Sequence, residues 1–524
     1  MRRDLGDFQT PPELVAAVLE AIGPVGRRWP RVLEPTCGRG HFIAGLLAEA
    51  APPREIRGIE VQQGHCESAR QTTQSTAATE VAILETDLFQ LDLRTDLNWR
   101  GDGPLLVIGN PPWVTNAELG VLGGGILPAK SNVKKLRGIA AKTGSSNFDI
   151  TEAVWLKLIN ELAHEPATIA LLCKTSVARG VLEFAERAGL PIAEAAIFSI
   201  DARRWFKVVV EACLFRVTLG RTGFPERIPV YDDLNGTTAP RTQIGFDRGR
   251  IIADSETYHA LRFADGDCPF TWRQGLKHDA AAVMELTRDE TTFSLRNKLG
   301  EAVDIEPSWV YPLVKGSDLV PGLTRRPSRA VIVTQHRIGQ ETRMLEYEAP
   351  KLWAYLESNA FAFAKRKSSI YKRQPRFALF GVGPYSFAPY KVAISGLHKE
   401  PCFRALGPRY GRPVMLDDTS YFLPCRTAEQ AAMTSALLND PATLGLLRAI
   451  TFRDAKRPIT KSVLQRLDLN ALAARVDHAT LVDRAEEELA RLHTCWSDEP
   501  HDPPAERETE SLEPAGPPST SQAM

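Results

Sequence analysis

Between residues 30 and 220 short apolar runs alternate with segments of helical spacing, and this alternation narrows the possible folds more than any other feature. "RVLEP" (31–35), "IRGIEV" (56–61), "VAILETD" (81–87), "LLVIGN" (105–110) and "TIALLC" (168–173) read as strands buried on both faces. Between them, "HFIAGLLAEA" and "DITEAVWLKLINELA" have helical spacing, with Asp149 or Thr151 as N-cap. Strands separated by helices pair in parallel, so an α/β fold with a doubly wound, mostly parallel sheet is expected. "KVVVEACLFRVTL" (207–219) reads as the closing strand of a first domain over 1–225. Past 225 the alternation stops. Strand-like, turn-rich and aromatic-rich segments predict a second, α+β domain over 226–475. A C-terminal helix (476–496) follows, carried by "LVDRAEEELARLHTCW". Residues 497–524, rich in Pro, Ser and Glu, read as a disordered acidic tail.

The chain carries 64 basic and 64 acidic residues, and a zero net charge argues at first against a polyanionic partner. The tail alone holds seven acids and one arginine, which leaves 63 basic against 57 acidic residues, a net of +6. Such a body permits nucleic acid. No apolar run approaches the ~20 residues needed to cross a bilayer, and "MRRDLGDFQTPPEL" lacks the apolar core of an export signal. The eight cysteines form no CxxC pair and no His/Cys cluster. A cytoplasmic, metal-free protein with no membrane contact is expected.

"VLEPTCGRGHF" (32–42) is a strand, a glycine turn and a helix start. Gly38 and Gly40 let backbone pass close to a ligand at the carboxyl edge of the sheet. The next two strands end in acids. Glu60 lies about 20 residues past the glycine turn, the spacing that suits a ribose diol. Asp87 is placed to accept from an adenine amino group. A third glycine is missing, so the usual pyrophosphate cradle is absent and a nucleoside-type ligand fits better.

"LEPTCGRGHF", Glu60, "TDLF" and "GNPPW" together resemble the successive motifs of S-adenosylmethionine-dependent methyltransferases that modify an exocyclic amine. "FQTPPELVAAVL" (8–19) precedes the glycine turn and resembles the N-terminal motif of the gamma-type adenine-N6 DNA methyltransferases, the NPPW-bearing enzymes of restriction–modification systems. The resemblance covers about 8–220 and continues more weakly to about 470, through "WRQGLKHDAAAVMEL", "WVYPLVKGSDL" and "RYGRPVMLDDTSYFLP". It implies a class I methyltransferase sheet followed by a target-recognition domain. It implies that Thr10 and Pro11 hold the methionine end of S-adenosyl-L-methionine. Glu34, Cys37, Gly38 and Gly40 would shape the turn beneath it, Glu60 would take the ribose hydroxyls, and Asp87 with Phe89 the adenine. The family more often has aspartate where Glu34 stands.

The same motif explains "LLVIGNPPWVTN" (105–116), where a buried strand ends in two residues without a backbone donor. An exocyclic amine is a poor nucleophile because its lone pair is delocalised into the ring. The side-chain oxygen of Asn110 and the carbonyl of Pro111 can accept its two N–H bonds and free that pair. Pro111 and Pro112 have fixed φ and present carbonyls rigidly. Trp113 offers a flat face to a base flipped from the duplex, and Trp205 or Phe206 a second one; core packing is the alternative for that aromatic pair.

Two basic segments suit duplex DNA. "VLGGGILPAKSNVKKLRGIAAKTGSSNF" (121–148) carries Lys130, Lys134, Lys135, Arg137 and Lys142 with no acid among them. "FAKRKSSIYKRQPRFALFGVGPYSFAPYKVAI" (363–394) interleaves Lys365, Arg366, Lys367, Lys372, Arg373 and Arg376 with aromatic residues. The expected activity is sequence-specific methylation of adenine N6 in double-stranded DNA by a monomer. The same amine chemistry on cytosine N4, an RNA base or a protein glutamine stays open, as does a catalytically retired DNA-binding regulator. No nuclease acid–lysine cluster is evident, so a cognate endonuclease, if there is one, is expected as a separate chain.

Overall fold

A computed structural model describes residues 9–114, 149–220, 223–236, 239–289, 291–292, 294–320 and 328–496. The apolar runs become β1 (Arg31–Glu34), β2 (Glu55–Glu60), β3 (Glu80–Glu85), β4 (Leu105–Gly109) and β5 (Ala167–Lys174). All five are parallel, in the order β3-β2-β1-β4-β5. Helices α1 (Pro12–Ile22), α2 (Val25–Arg28), α3 (His41–Leu47), α4 (Gln63–Thr72), α5 (Ile150–Glu161) and α6 (Thr175–Ala188) accompany them. Asp149 is the N-cap of α5, its side chain accepting from the Thr151 amide at 3.0 Å.

Both faces of the sheet are sealed. Leu14, Val18, Ile43 and Leu46 pack on Val32, Ile56 and Leu106 on one side. Trp155, Leu158 and Val181 pack on Leu33, Val107 and Ile169 on the other. Each such side chain contributes ~1.5–3 kcal/mol on burial, which is why unbroken apolar runs were needed.

The later strands depart from expectation. The segment 207–219 is strand only from Ala212, as β7 (Ala212–Leu219), and runs antiparallel to β5. A strand that the alternation did not reveal, β6 (Ile192–Ile200), pairs with β7, and a short α7 (Ala202–Phe206) joins the two. Nor does the sheet end near 225. β8 (Ile228–Tyr231) adds parallel to β6, then β9 (Thr242–Asp247) and β10 (Arg250–Ile252) extend it to ten strands. The boundary drawn at 225 therefore falls inside the first sheet.

The C-terminal half is α+β. One sheet has the order β11 (Arg273–Gln274), β19 (Ser420–Cys425), β16 (Tyr390–Ser395), β17 (Phe403–Leu406). The other has the order β13 (Leu295–Asn297), β12 (Glu285–Arg288), β15 (Arg329–Ile332), β14 (Val310–Val314), β18 (Met415–Leu416). The expected last helix spans His478–Trp496. It is packed into this half and not apart from it: Glu488 accepts from the Ala405 amide at 3.1 Å and from Ser435 Oγ at 3.0 Å. The tail lies outside the described residues.

Candidate active site

β1 lies between β2 and β4, so the chain winds one way from β1 and the other way from β4. Such a reversal opens a crevice at the carboxyl ends of the strands. A cavity of about 280 Å3 lies there, and Thr10, Glu34, Gly38, Glu60, Asp87 and Asn110 all contribute to its wall.

The glycine turn is held from both ends. The Cys37 amide donates to the Ile59 carbonyl at 2.8 Å, and the Gly40 amide to the Cys37 carbonyl at 2.8 Å. Gly38 has φ 52 and Gly40 φ 82, left-handed values that glycine adopts without strain. A Cβ on Gly38 would also come within 3.0 Å of the Gln9 side chain. Cys37 is buried, and burial raises its thiol, with Glu34 and Glu60 adding to the rise. It packs into the core beside the turn and also lines the cavity.

Glu60 does more than end a strand. Its Oε2 accepts the Gly38 amide at 2.9 Å, while Oε1 accepts the amides of Val61 at 2.9 Å and Gln62 at 2.8 Å. The carboxylate thus locks the turn as well as lining the cavity. Asp87 accepts from the Phe89 amide at 3.0 Å, which folds that segment so that both residues reach the wall. Glu34 is buried, and burial holds its carboxyl well above the usual range. The Ile43 backbone pulls the other way and Glu60 adds to the rise. Among the described residues, no hydrogen bond reaches the buried Glu34 Oε2 or Thr36 Oγ1.

Thr10 joins the two motifs. Its Oγ1 accepts from Asn110 Nδ2 at 3.2 Å, and its carbonyl accepts from His41 Nδ1 at 2.7 Å, which requires the imidazole proton on Nδ1. The first bond fixes which way the Asn110 amide faces. Gly109, with φ 156, brings the chain past Glu34 to this point, where a Cβ would stand 3.3 Å from Glu34 Cγ. Pro11 is the N-cap of α1 and does not line the cavity.

The NPPW segment departs in part from expectation. Asn110 and Pro112 reach the cavity, whereas Pro111 is buried and is not on its wall. The Pro112 carbonyl accepts from Thr151 Oγ1 at 2.7 Å. Among the described residues, no hydrogen bond reaches the Pro111 carbonyl. Trp113 offers no open face. It is 6% exposed, its Nε1 donates to the Leu172 carbonyl at 3.3 Å, and Phe206 meets it edge-on at 5.1 Å. Phe206 is equally buried, and half-buried Trp205 carries the Arg204 guanidinium on its ring. These aromatics form a core contact behind the site. The apolar wall next to Asn110 is supplied by Val114, Ile150 and Val154.

Sequence reasoning missed Gln9, His41, Thr151 and the α5 residues of the wall. His41, directly after the glycine turn, was visible as a polar residue at a helix start; Thr151 had no signal beyond its capping role.

Lys130, Lys134, Lys135, Arg137 and Lys142 lie outside the described residues. In the second basic segment Lys365, Lys367, Lys372, Arg373 and Arg376 are exposed. Arg366 is not a surface cation. Its guanidinium lies 4.4 Å from the Phe363 ring centroid and 4.3 Å from that of Tyr371, and Nη1 donates to the Ala378 carbonyl at 2.9 Å. It holds the segment together from beneath.

No protein-family model matches the chain. Over 471 residues it is 37% identical to the Type II methyltransferase M.NspV of Nostoc sp., a match spanning 90% of this chain and 97% of that protein. The chain belongs to the Type II methyltransferases of restriction–modification systems. A solved DNA complex of the Type IIL restriction–modification enzyme MmeI is similar in fold, with a TM-score of 0.51 and 13% identity over 94% of this chain and 74% of that one. The DrdV–DNA complex has a TM-score of 0.47 and 11% identity over 94% of this chain and 58% of that one.

This Type II methyltransferase is a sequence-specific DNA methyltransferase whose methyl donor is S-adenosyl-L-methionine. The residues present fit that donor. Gly38, Glu34 and Thr36 line a ligand-sized cavity, the buried Glu34 Oε2 and Thr36 Oγ1 have no hydrogen-bond partner among the described residues, and strand-end acids stand at Glu60 and Asp87. No described helix is long and apolar enough to cross a membrane, and no group of three potential metal ligands occurs among the described residues.

Proposed function

We propose that the methyl group goes to N6 of an adenine flipped out of duplex DNA. The observation that carries this reading is that Asn110 and the Glu60-locked glycine turn line one cavity. Bound there, the cofactor supplies an electrophilic methyl carbon. Thr10 and the glycine turn would hold the methionine end, and Glu60, Asp87 and Phe89 the nucleoside end. Asn110, oriented through Thr10, accepts from one N–H of the target amine; the Pro111 carbonyl, which takes no hydrogen bond among the described residues but lies off the cavity wall, would accept from the other once the loop turns it inward. Thr151 keeps the Pro112 carbonyl engaged, so the two prolines stay rigid. With both N–H bonds held, the amine lone pair would be free to take the methyl group that the cofactor would supply, and the surplus N–H proton would leave to solvent. No strongly basic side chain is needed before attack.

Duplex DNA is held by Lys365, Lys367, Lys372 and Arg373, with Lys130, Lys134, Lys135 and Arg137 as further phosphate ligands. The protein acts as a cytoplasmic monomer beside a separately encoded endonuclease. Incubation with labelled S-adenosyl-L-methionine and DNA, then nucleoside digestion and mass detection, tests the reading. N6-methyladenine is expected from the wild type and none from a folded Asn110→Ala protein. N4-methylcytosine, or full activity in Asn110→Ala, overturns it.

A further inference from the structure

Residues 201–211 cross the carboxyl edge of the sheet between β6 and β7. Ala212 pairs with Ile200 on one side and Lys174 on the other, so the segment stands beside the end of β5. The Glu211 carbonyl accepts from the Thr175 amide at 3.0 Å, and Asp201 accepts from the Arg204 amide at 3.0 Å, so both ends are fixed. Phe206 is wedged edge-on against Trp113, which ties the segment to the loop that carries Asn110.

Beyond Phe206 the chain turns outward. Lys207 takes φ 59, a left-handed value that side chains other than glycine seldom adopt. Val208 packs against the cluster that holds Trp113 and Phe206. Val209 then stands 88% exposed and Val210 40% exposed. No other large apolar residue among the described residues is as exposed as Val209. A valine is stiff at χ1, which makes it a poor flexible arm and a good rigid post. Arg203, Arg204 and Lys207 in the same segment are exposed, and so are Asp201 and Glu211 at its ends.

An exposed apolar post on a segment with three exposed cations, at the ligand edge of the sheet and braced on the catalytic loop, matches a polyanion with a stacked apolar interior. We propose that Val209, supported by Val210, enters the duplex next to the target base and fills the space the base leaves. Apolar side chains inserted at a base step unstack it, and filling the vacancy hinders the base from returning. Arg203, Arg204 and Lys207 neutralise the phosphates on either side. The inference rests on the base-extrusion reading above and adds the element that stabilises the extruded state.

The test uses the full chain with a duplex carrying its own target site, found by sequencing methylated positions in host DNA. Single-turnover methyl transfer is compared for wild type and Val209→Ala on a matched duplex and on one whose target base is mispaired. A mispaired base is already cheap to extrude. Val209→Ala is expected to slow transfer about tenfold on the matched duplex and to come within about twofold of wild type on the mispaired one. Cofactor affinity and melting temperature stay unchanged. Equal rates on the matched duplex, or the same slowing on both duplexes, overturn the proposal. If the wild type transfers no methyl group to any DNA, it is the functional reading that has failed.

Discussion

The Gly38 amide donates to Glu60 Oε2 at 2.9 Å, so the end of the second strand holds the shape of the turn after the first. Two further amides, of Val61 and Gln62, end on the same carboxylate. Glu60→Ala leaves three amides without their acceptor, at ~1–3 kcal/mol for each that stays buried. The variant is expected to lose melting temperature and cofactor affinity together, as read by thermal denaturation and titration calorimetry. Loss of affinity with unchanged stability would mean that Glu60 serves only as a ligand contact.

Glu34 gives a different signature. Burial raises its carboxyl, so in the unliganded protein it holds a proton at a pH where an ordinary glutamate has lost one. The folded state then binds more protons than the unfolded state as pH rises above about 4.5, and stability falls through that window. Glu34→Gln removes this decline and stabilises the unliganded protein relative to wild type, increasingly as pH rises above about 4.5. A cationic ligand favours the ionised form. Calorimetry in buffers of different ionisation enthalpy is therefore expected to show proton release on cofactor binding in the wild type and less in Glu34→Gln.

Arg366 and Lys372 separate a half-buried cation from a surface one. Arg366→Ala loses two aromatic contacts and the bond to Ala378, costing ~1–3 kcal/mol of stability. Lys372→Ala is expected to leave the melting temperature unchanged and to lower the salt slope of DNA binding by about one. Fluorescence anisotropy across a salt series checks the second.

Lys391 is a buried lysine whose Nζ donates to the Ala388 carbonyl at 2.7 Å, and burial lowers its pKa to about 7. The unfolded chain holds that proton up to about pH 10.5, so between 7 and 10.5 the unfolded state binds more protons. This group's contribution therefore favours the folded state increasingly as pH rises through the window. Relative to Lys391→Met, the wild type is expected to gain melting temperature between pH 7 and 10, and parallel curves would show that Lys391 does not titrate there.

The parallel strands were legible because they are buried on both faces and carry unbroken apolar runs. Ile192–Ile200 was not: "IAEAAIFSI" reads like a helix fragment, and its strand identity comes from pairing with β7. Glu34, Gly38, Glu60, Asp87 and Asn110 were legible because a strand end or a tight turn leaves a residue little freedom. Trp113 was misjudged because an indole beside a catalytic loop looks the same in sequence whether it faces a ligand or Leu172. Arg366 was misjudged for a related reason, since a run of cations does not reveal which one has turned inward to Phe363 and Tyr371.

The three strands added after residue 225 bear on any exchange of specificity between relatives. β10 leads straight into the Ala253 and Asp254 amides, which donate to the Ala449 carbonyl at 2.8 and 3.0 Å, and Arg179 on α6 pairs with Asp454 at 2.6 Å. A chimaera spliced at 225 would strip one edge from its own catalytic half and take from Arg179 its partner Asp454. A splice placed just after Ile252 keeps the ten-stranded platform whole, and the foreign half then needs an acid facing Arg179 and partners for Asp247, which here takes Tyr258 at 3.0 Å and Arg262 at 2.7 Å.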